Sequence, residues 1–488
     1  MTIGGAGCAT EETGIGNSRK AADLSYEVRH QDVPQRPRIA LLTPYTGGNL
    51  GDAAIQDALI ANLRLRLPDV QFSGLTLNSD NFVERHGASA FPLSAWHGTF
   101  YRMCGGRLTD QRRDNATFER LAGEPGATSK SLKRLLKQAP VLGWCLRTAR
   151  SFGRRARAEL LHAARGYRFL RMQDLLIVSG GGQLDEEWGG PWGHPFALFK
   201  WVALARMARI PSAFASVGAC KVSSIRSRFF LSGALRMAQY RSYRDRNSRN
   251  IASTLLRRAR GDAIVPDMAF SLPPSQLPLP AGIRALARGR TVVAISPIAY
   301  AKPGSWPCPD AALHERYLRQ MTRLMAQLLS RDYFLAVVCS SVGDDDLVIR
   351  ELLGRLDREA GEKMPGQVHV PVIRTWKDLA ACLRDVDFLV ASRLHSAILG
   401  FLTQTPTVAI SFDPKVDWVM EDLGQTDYLL HICDFAAEDV IQAVDRIQLH
   451  KSLAAAQIGS YQRNVLSASA RQYDALAGLA KASQKHRN

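Results

Sequence analysis

Residues 388–400 read FLVASRLHSAILG, and how this stretch is parsed decides the architecture. FLVA is a short uninterrupted apolar run, the pattern of a strand covered on both faces, and AILG returns to apolar helix formers. Arg393 and His395 therefore stand where a buried strand gives way to the first turn of a helix. In open parallel sheets that position lies at the ligand-binding edge. The free backbone N–H groups of a helix start add to it an attraction for anions.

The same alternation of apolar runs and amphipathic stretches extends in both directions. RIALLTPY, DLLIVSGGG, SAFASVGAC and DAIVPDMAF read as strands of a first half, with ALFKWVALARMARI as a helix among them. Ile55, Leu59, Leu63 and Leu67, four apart, form one stripe of a helix that ends before Pro68. TVVAISPIAY, YFLAVVCSS, QVHVPVI, FLVAS and TVAISF read as strands of a second half, with HERYLRQMTRLMAQLLSR as one of its helices. A Pro-rich seam, SLPPSQLPLPAG, from Ser271 to Gly282, lies between the halves. The expectation is α/β, two parallel-sheet domains over residues 37–275 and 285–435. Residues 1–36 read as a disordered tail, and residues 436–488 as closing helices.

A chain of 488 residues is too long for one core, and a hydrophobic fraction of 46% with 22% charged residues excludes global disorder. No window approaches a membrane span, and the N-terminus lacks a basic-then-apolar signal pattern, so the chain reads as cytoplasmic. The eight cysteines are scattered, with no metal-like spacing, and read as reduced thiols. No carboxylate cluster calls for a metal.

The net charge of +18 is the compositional extreme and points to an anionic partner. Cations concentrate between Arg102 and Arg171, in KSLKRLLKQ and RTARSFGRRARAELLHAARGYRFLR. Two readings stand for this insertion: a solvated segment, or an interfacial basic helix on an anionic membrane. Nucleic acid is not expected, because no recognised binding motif accompanies the charge.

Four strand ends carry candidate chemistry. In TPYTGGNLGDAAIQDAL, Gly47, Gly48 and Gly51 flank Asn49 and lead to Asp52, which reads either as a ligand contact or as the helix cap. The spacing is neither a Walker loop nor a dinucleotide fingerprint. In IVSGGGQLDEEWGGPWGHP, Gly181 and Gly182 follow a strand, and His194 stands on a loop between Gly193 and Pro195. In YRSYRDRNSRN, Arg244 offers a guanidinium fork suited to carboxylate or phosphate, against the plainer reading of an internal pair with Asp245. The fourth end is Arg393 and His395, with Lys415 at the next strand end in SFDPKVDWVMEDLG.

Taken in order, GGNLGDAAIQ, IVSGGGQLDEEW, RSYRDRNS, VPDMAF, ASRLHSAILGFLTQTPTVAISFDPKV and MEDLG resemble the polysaccharide pyruvyl transferase family. The resemblance implies a GT-B-like arrangement, two Rossmann-like domains facing across a cleft. It implies transfer of a pyruvyl group from phosphoenolpyruvate to two hydroxyls of a saccharide or lipid-linked oligosaccharide, forming a cyclic ketal and releasing phosphate, with no cofactor. On that resemblance His395 is the general acid, Arg393 and Arg244 hold the anionic groups, Lys415 assists with phosphate, and His194 and the Gly47 to Asp52 loop lie near donor or acceptor. The basic insertion departs from the family pattern and suggests attachment to the inner face of a membrane. Competing readings are a GT-B glycosyltransferase using a nucleotide sugar, and a non-catalytic binding protein.

Overall fold

The computed structural model describes residues 36–44, 47–95, 156–187, 189–257, 261–304, 306, 308–360 and 366–485. Two parallel sheets form the framework. The first runs in the order β3-β2-β1-β4-β6-β7-β8, with β5 paired to β6 alongside. Its strands are β1 Arg38–Leu42, β2 Gln71–Thr76, β3 Ser89–Pro92, β4 Leu175–Ser179, β5 Gly182–Leu184, β6 Ser212–Ala219, β7 Tyr240–Tyr243 and β8 Ala263–Ile264. The second sheet runs β11-β10-β9-β12-β13-β14. It comprises β9 Val292–Ser296, β10 Phe334–Val337, β11 Val368–His369, β12 Phe388–Ala391, β13 Thr407–Ser411 and β14 Leu429–His431. The central strands β4, β9, β10, β12 and β13 are buried at every residue, which is why each reads as a continuous apolar run.

Several strands are shorter than their sequence suggests. DAIVPDMAF supplies only Ala263–Ile264 before the backbone turns, with Asp267 accepting a bond from the Ala269 N–H at the start of a short 3-10 turn. QVHVPVI supplies only Val368–His369. Within the basic insertion, residues 156–170 form a helix, in which Gly166 admits the Trp201 ring beneath it. The expected tail over residues 1–35 and the rest of the insertion lie outside the described residues.

The helix Leu50–Arg66 is capped by Asn49, whose carboxamide oxygen accepts from the N–H groups of Gly51 and Asp52. Asp52 is therefore a first-turn residue and not the cap, which releases its carboxylate for other contacts. Ile55, Leu59 and Leu63 on this helix are buried as their spacing requires, as is Leu67 just beyond its end.

Both sheets meet at this helix. The Leu50 N–H donates to Ser340 O at 3.0 Å, and the Val342 N–H donates to Gly48 O at 2.9 Å, so the glycine loop after β1 is stitched to the loop after β10. Trp376 donates its indole N–H to Asp57 at 2.6 Å. The helix Lys451–Lys485 ties the two sheets together along its length. Near its start Gln457 bonds Gln425, and near its end Gln472 donates to Ser216 while Tyr473 hydrogen-bonds Ser271. No described helix is long and apolar enough to cross a membrane.

Candidate active site

The strand ends converge. Gly51 lies against the imidazole of His395 so closely that a β-carbon there would fall 1.8 Å from Cγ. His395 sits in the first turn of the helix Leu394–Leu402, whose N-cap is Arg393. Its Nε2 is buried without a hydrogen-bond partner, 4.0 Å from Oδ2 of Asp267, which is likewise unpartnered. A buried unpaired imidazole nitrogen facing an unpaired carboxylate oxygen is costly, and such pairs concentrate where a ligand completes the bonding.

Asp52 lies at the electrostatic centre of this group. Burial pushes its carboxyl above the usual carboxylate range, His395 pulls it down, Asp267 adds to the rise, and Arg244 and Lys415 oppose it. Oδ1 of Asp52 lies 3.3 Å from where a β-carbon on Gly181 would stand. Gly181 has φ of 69°, so both its backbone and its missing side chain serve this approach.

Arg244 follows β7 and is buried, held by Nε to Asp245 at 3.3 Å. Its Nη2 has no partner. Gly218 makes room for it, since a β-carbon there would lie 2.6 Å from Nε. The pairing of Arg244 with Asp245 is thus present, and it leaves Nη2 of the guanidinium without a partner. Arg241, by contrast, is consumed by Asp262 and backbone carbonyls.

Lys415 reaches from the second sheet toward the first. Its ammonium lies 3.3 Å from Asp413 and 3.8 Å from the β-position of Gly182. Burial works against the charge, but Asp413 and a hydrogen bond with Cys220 help hold its pKa above the ordinary lysine value.

Arg393 is engaged differently. Nε and Nη2 both bond Oδ1 of Asp345, at 3.1 and 2.6 Å. Asp345 also accepts from the N–H groups of Ser340 and Ser341, the loop that receives Leu50. Burial raises the Asp345 pKa, and Arg393 opposes that rise. His194 is not on a loop but opens the helix His194–Met207, with Gly193 as its cap, and it is fully buried; its Nε2 bonds Gln183 at 2.9 Å, and burial lowers its pKa to about 4. Gln183 in turn donates to Ser179 O and Gly180 O, so His194 braces the glycine turn from behind. Gly47 has φ of 107°, and a β-carbon on Gly48 would meet Val342 O at 3.2 Å.

Asp267 and Asp345 were not singled out in the sequence. Asp267 falls inside DAIVPDMAF, which reads as one strand although only Ala263–Ile264 pair, and Asp345 lies in SVGDDDL among carboxylates that resemble a solvated helix start. A narrow recess of about 10 Å³ beside the cluster is lined by Arg244, Asp245, Asp267, Leu394, Asp422 and Tyr461 among others.

Residues 49–414 match the family model described as polysaccharide pyruvyl transferase. The chain belongs to this family. Asp52, Gly181, Gly182, His194, Arg244, Asp267, Asp345, Arg393 and His395 fall inside the matched span, Gly47 and Gly48 just precede it, and Lys415 immediately follows it. No curated protein matches the chain. Among solved structures, this polysaccharide pyruvyl transferase family member is similar to the N-terminal domain of trehalose-6-phosphate phosphatase from Candida albicans. That match has 11% identity and a TM-score of 0.51, covering 91% of this chain and 97% of that one. It is also similar to a protein of Listeria monocytogenes assigned as a UDP-N-acetylglucosamine 2-epimerase, with 9% identity and a TM-score of 0.50, covering 90% of this chain and 97% of that one. At these identities the likeness concerns the fold alone: two parallel α/β sheets in the GT-B-like arrangement.

Proposed function

We propose that the protein transfers the pyruvyl group of phosphoenolpyruvate to two hydroxyls of a saccharide, with His395 as general acid. The observation that carries this reading is the unpartnered Nε2 of His395 within a cluster that also holds two cations, Arg244 and Lys415. Phosphoenolpyruvate brings a carboxylate and a phosphate on an electron-rich vinyl group, so a site for it needs fixed cations and one proton donor.

His395 Nε2 delivers a proton to the methylene carbon, leaving oxocarbenium character at C2. One sugar hydroxyl adds to C2, the C2–O bond to phosphate breaks, and the second hydroxyl closes the ketal. Of the two hydroxyl protons, one restores His395 and the other leaves with phosphate. Arg244 presents its free Nη2 to an oxyanion, and Lys415 balances the departing phosphate. Arg393 is a positioning residue through its bond to Asp345, and it sets the helix start that carries His395. The Gly47 to Asp52 loop and the Gly181 and Gly182 turn shape the site, and His194 supports that turn. The chain would act at the cytoplasmic face, on a saccharide or lipid-linked acceptor.

The test supplies phosphoenolpyruvate carrying isotopic carbon, together with galactose-, mannose- or glucose-containing acceptors. Label entering the saccharide in step with phosphate release supports the reading. Nucleotide-sugar turnover without label transfer would replace it with glycosyl transfer.

A further inference from the structure

Away from the cluster, an aromatic surface lies on two neighbouring helices of the first sheet, His194–Met207 and Ile225–Met237. These helices touch closely, since a β-carbon on Gly233 would fall 2.7 Å from the Phe199 ring. Five rings form a continuous chain across them. Trp192 meets Phe196 at 5.5 Å and Phe230 at 5.4 Å, Phe230 meets Phe229 at 5.6 Å, and Phe229 meets Phe199 at 6.0 Å. Three large apolar side chains project outward: Ile225 is 83% exposed, Phe229 66% and Trp192 65%. Single exposed apolar residues are ordinary, but an aromatic ladder that leaves its outer members in water is not.

The charge around this ladder has one sign. Lys221, Arg226, Arg228 and Arg236 are exposed, and the helix Ile225–Met237 carries no Asp or Glu. Glu186 is occupied by the N–H groups of Ser223 and Ser224 at the start of that helix. Glu187 is the exposed carboxylate of the neighbouring loop among the described residues. We infer that this surface docks on an anionic lipid bilayer, with Trp192, Ile225 and Phe229 entering the interface and Lys221, Arg226 and Arg228 meeting lipid phosphates. Aromatic side chains settle at the headgroup level, and each cation near an anionic leaflet adds to the attraction. A second copy of the chain is a poorer occupant, because it would bring the same cations face to face.

The position of the surface gives it a use. Trp192 follows the loop from β5, and Ile225 lies five residues beyond Cys220, which bonds Lys415. The docked face therefore lies on the helices that follow β5 and β6, on the side where those strands end. If the proposed pyruvyl transfer is correct, the acceptor sugar is one carried on a lipid.

The experiment is co-sedimentation of the full chain with vesicles of phosphatidylcholine mixed with phosphatidylglycerol, against phosphatidylcholine alone. The wild type is expected on the mixed vesicles, and Trp192→Ser with Phe229→Ser, or Arg226→Glu with Arg228→Glu, to weaken that binding about tenfold or more. Both double variants should keep the wild-type melting temperature and phosphate release with a soluble acceptor. Trp192→Phe should bind like wild type while losing part of the fluorescence quenching by brominated lipids. Unchanged vesicle affinity in both double variants would overturn the inference and leave the basic residues 102–155 as the binding element. Self-association that the variants disperse, without vesicle binding by the wild type, would overturn it in favour of a second copy. Loss of vesicle binding in the variants, with no phosphate release from any preparation, would uphold the surface and sink the pyruvyl reading instead.

Discussion

Gly51 and His395 lie in the first turns of helices that follow strands of different sheets, 344 positions apart in the chain, yet the imidazole occupies the space that a side chain at residue 51 would need. The His395 ring is therefore seated by a residue from the other half of the chain. Gly51→Ala should push His395 from its place. Because small misplacements of a proton donor cost up to about a hundredfold, kcat should fall by roughly ten- to a hundredfold. Stability should change by less than about 2 kcal/mol, since alanine's better helix propensity offsets part of the strain. Steady-state kinetics alongside thermal unfolding separates the two effects.

Arg244 presents Nη2 without a partner inside a wall that Gly218 keeps open. Arg244→Lys retains the charge but loses the fork. The KM for phosphoenolpyruvate should rise by about tenfold, the scale of one charge-assisted hydrogen bond, with a smaller change in acceptor KM. Equal effects on both substrates would place Arg244 elsewhere in the mechanism.

Asp345 is fully buried, whereas the Arg393 side chain is 24% exposed. Asp345→Ala removes the counter-charge and also frees the loop N–H groups of Ser340 and Ser341. Breaking such a pair costs about 3 kcal/mol, the lower end of the range because Arg393 can turn toward water. Urea denaturation should show that loss, together with a reduced kcat as the His395 helix start loosens.

How far the sequence foretold this arrangement depended on burial. β4, β9, β10, β12 and β13 were legible because both faces are covered and the run is uniformly apolar. β2 and β3, written QFSGLT and SAFP, are not, since polar residues hide the pattern in β2 and a terminal proline closes the edge strand β3. Arg393 and His395 stand out because they interrupt apolar runs, and Lys415 because it follows the end of the next strand. Asp267 and Asp345 do not, because their significance arises from tertiary contact with His395 and Arg393. Asn49 rather than Asp52 caps the first helix, a choice between two good cap residues that spacing alone does not make.

His194 is neutral and enclosed, with burial lowering its pKa from 6.5 to about 4. Above pH 6.5 neither folded nor unfolded chain protonates this ring, and its contribution to stability is complete. As pH falls below 6.5 the unfolded chain takes up the proton first, so stability declines until the folded ring also titrates near pH 4. The loss from this group is about 3 kcal/mol. His194→Gln should flatten that part of the profile of melting temperature against pH. A variant that loses stability over pH 6.5 to 4 as steeply as the wild type would show that the decline comes from other groups.

The central claim is that His395 supplies the proton that starts pyruvyl transfer. Its most direct test is acceptor-dependent phosphate release from phosphoenolpyruvate by wild type and His395→Ala, with donor binding measured in parallel. The expected result is a fall of roughly a hundred- to ten-thousandfold in kcat, with donor affinity largely kept through Arg244 and Lys415. Release by His395→Ala at close to the wild-type rate would contradict the account.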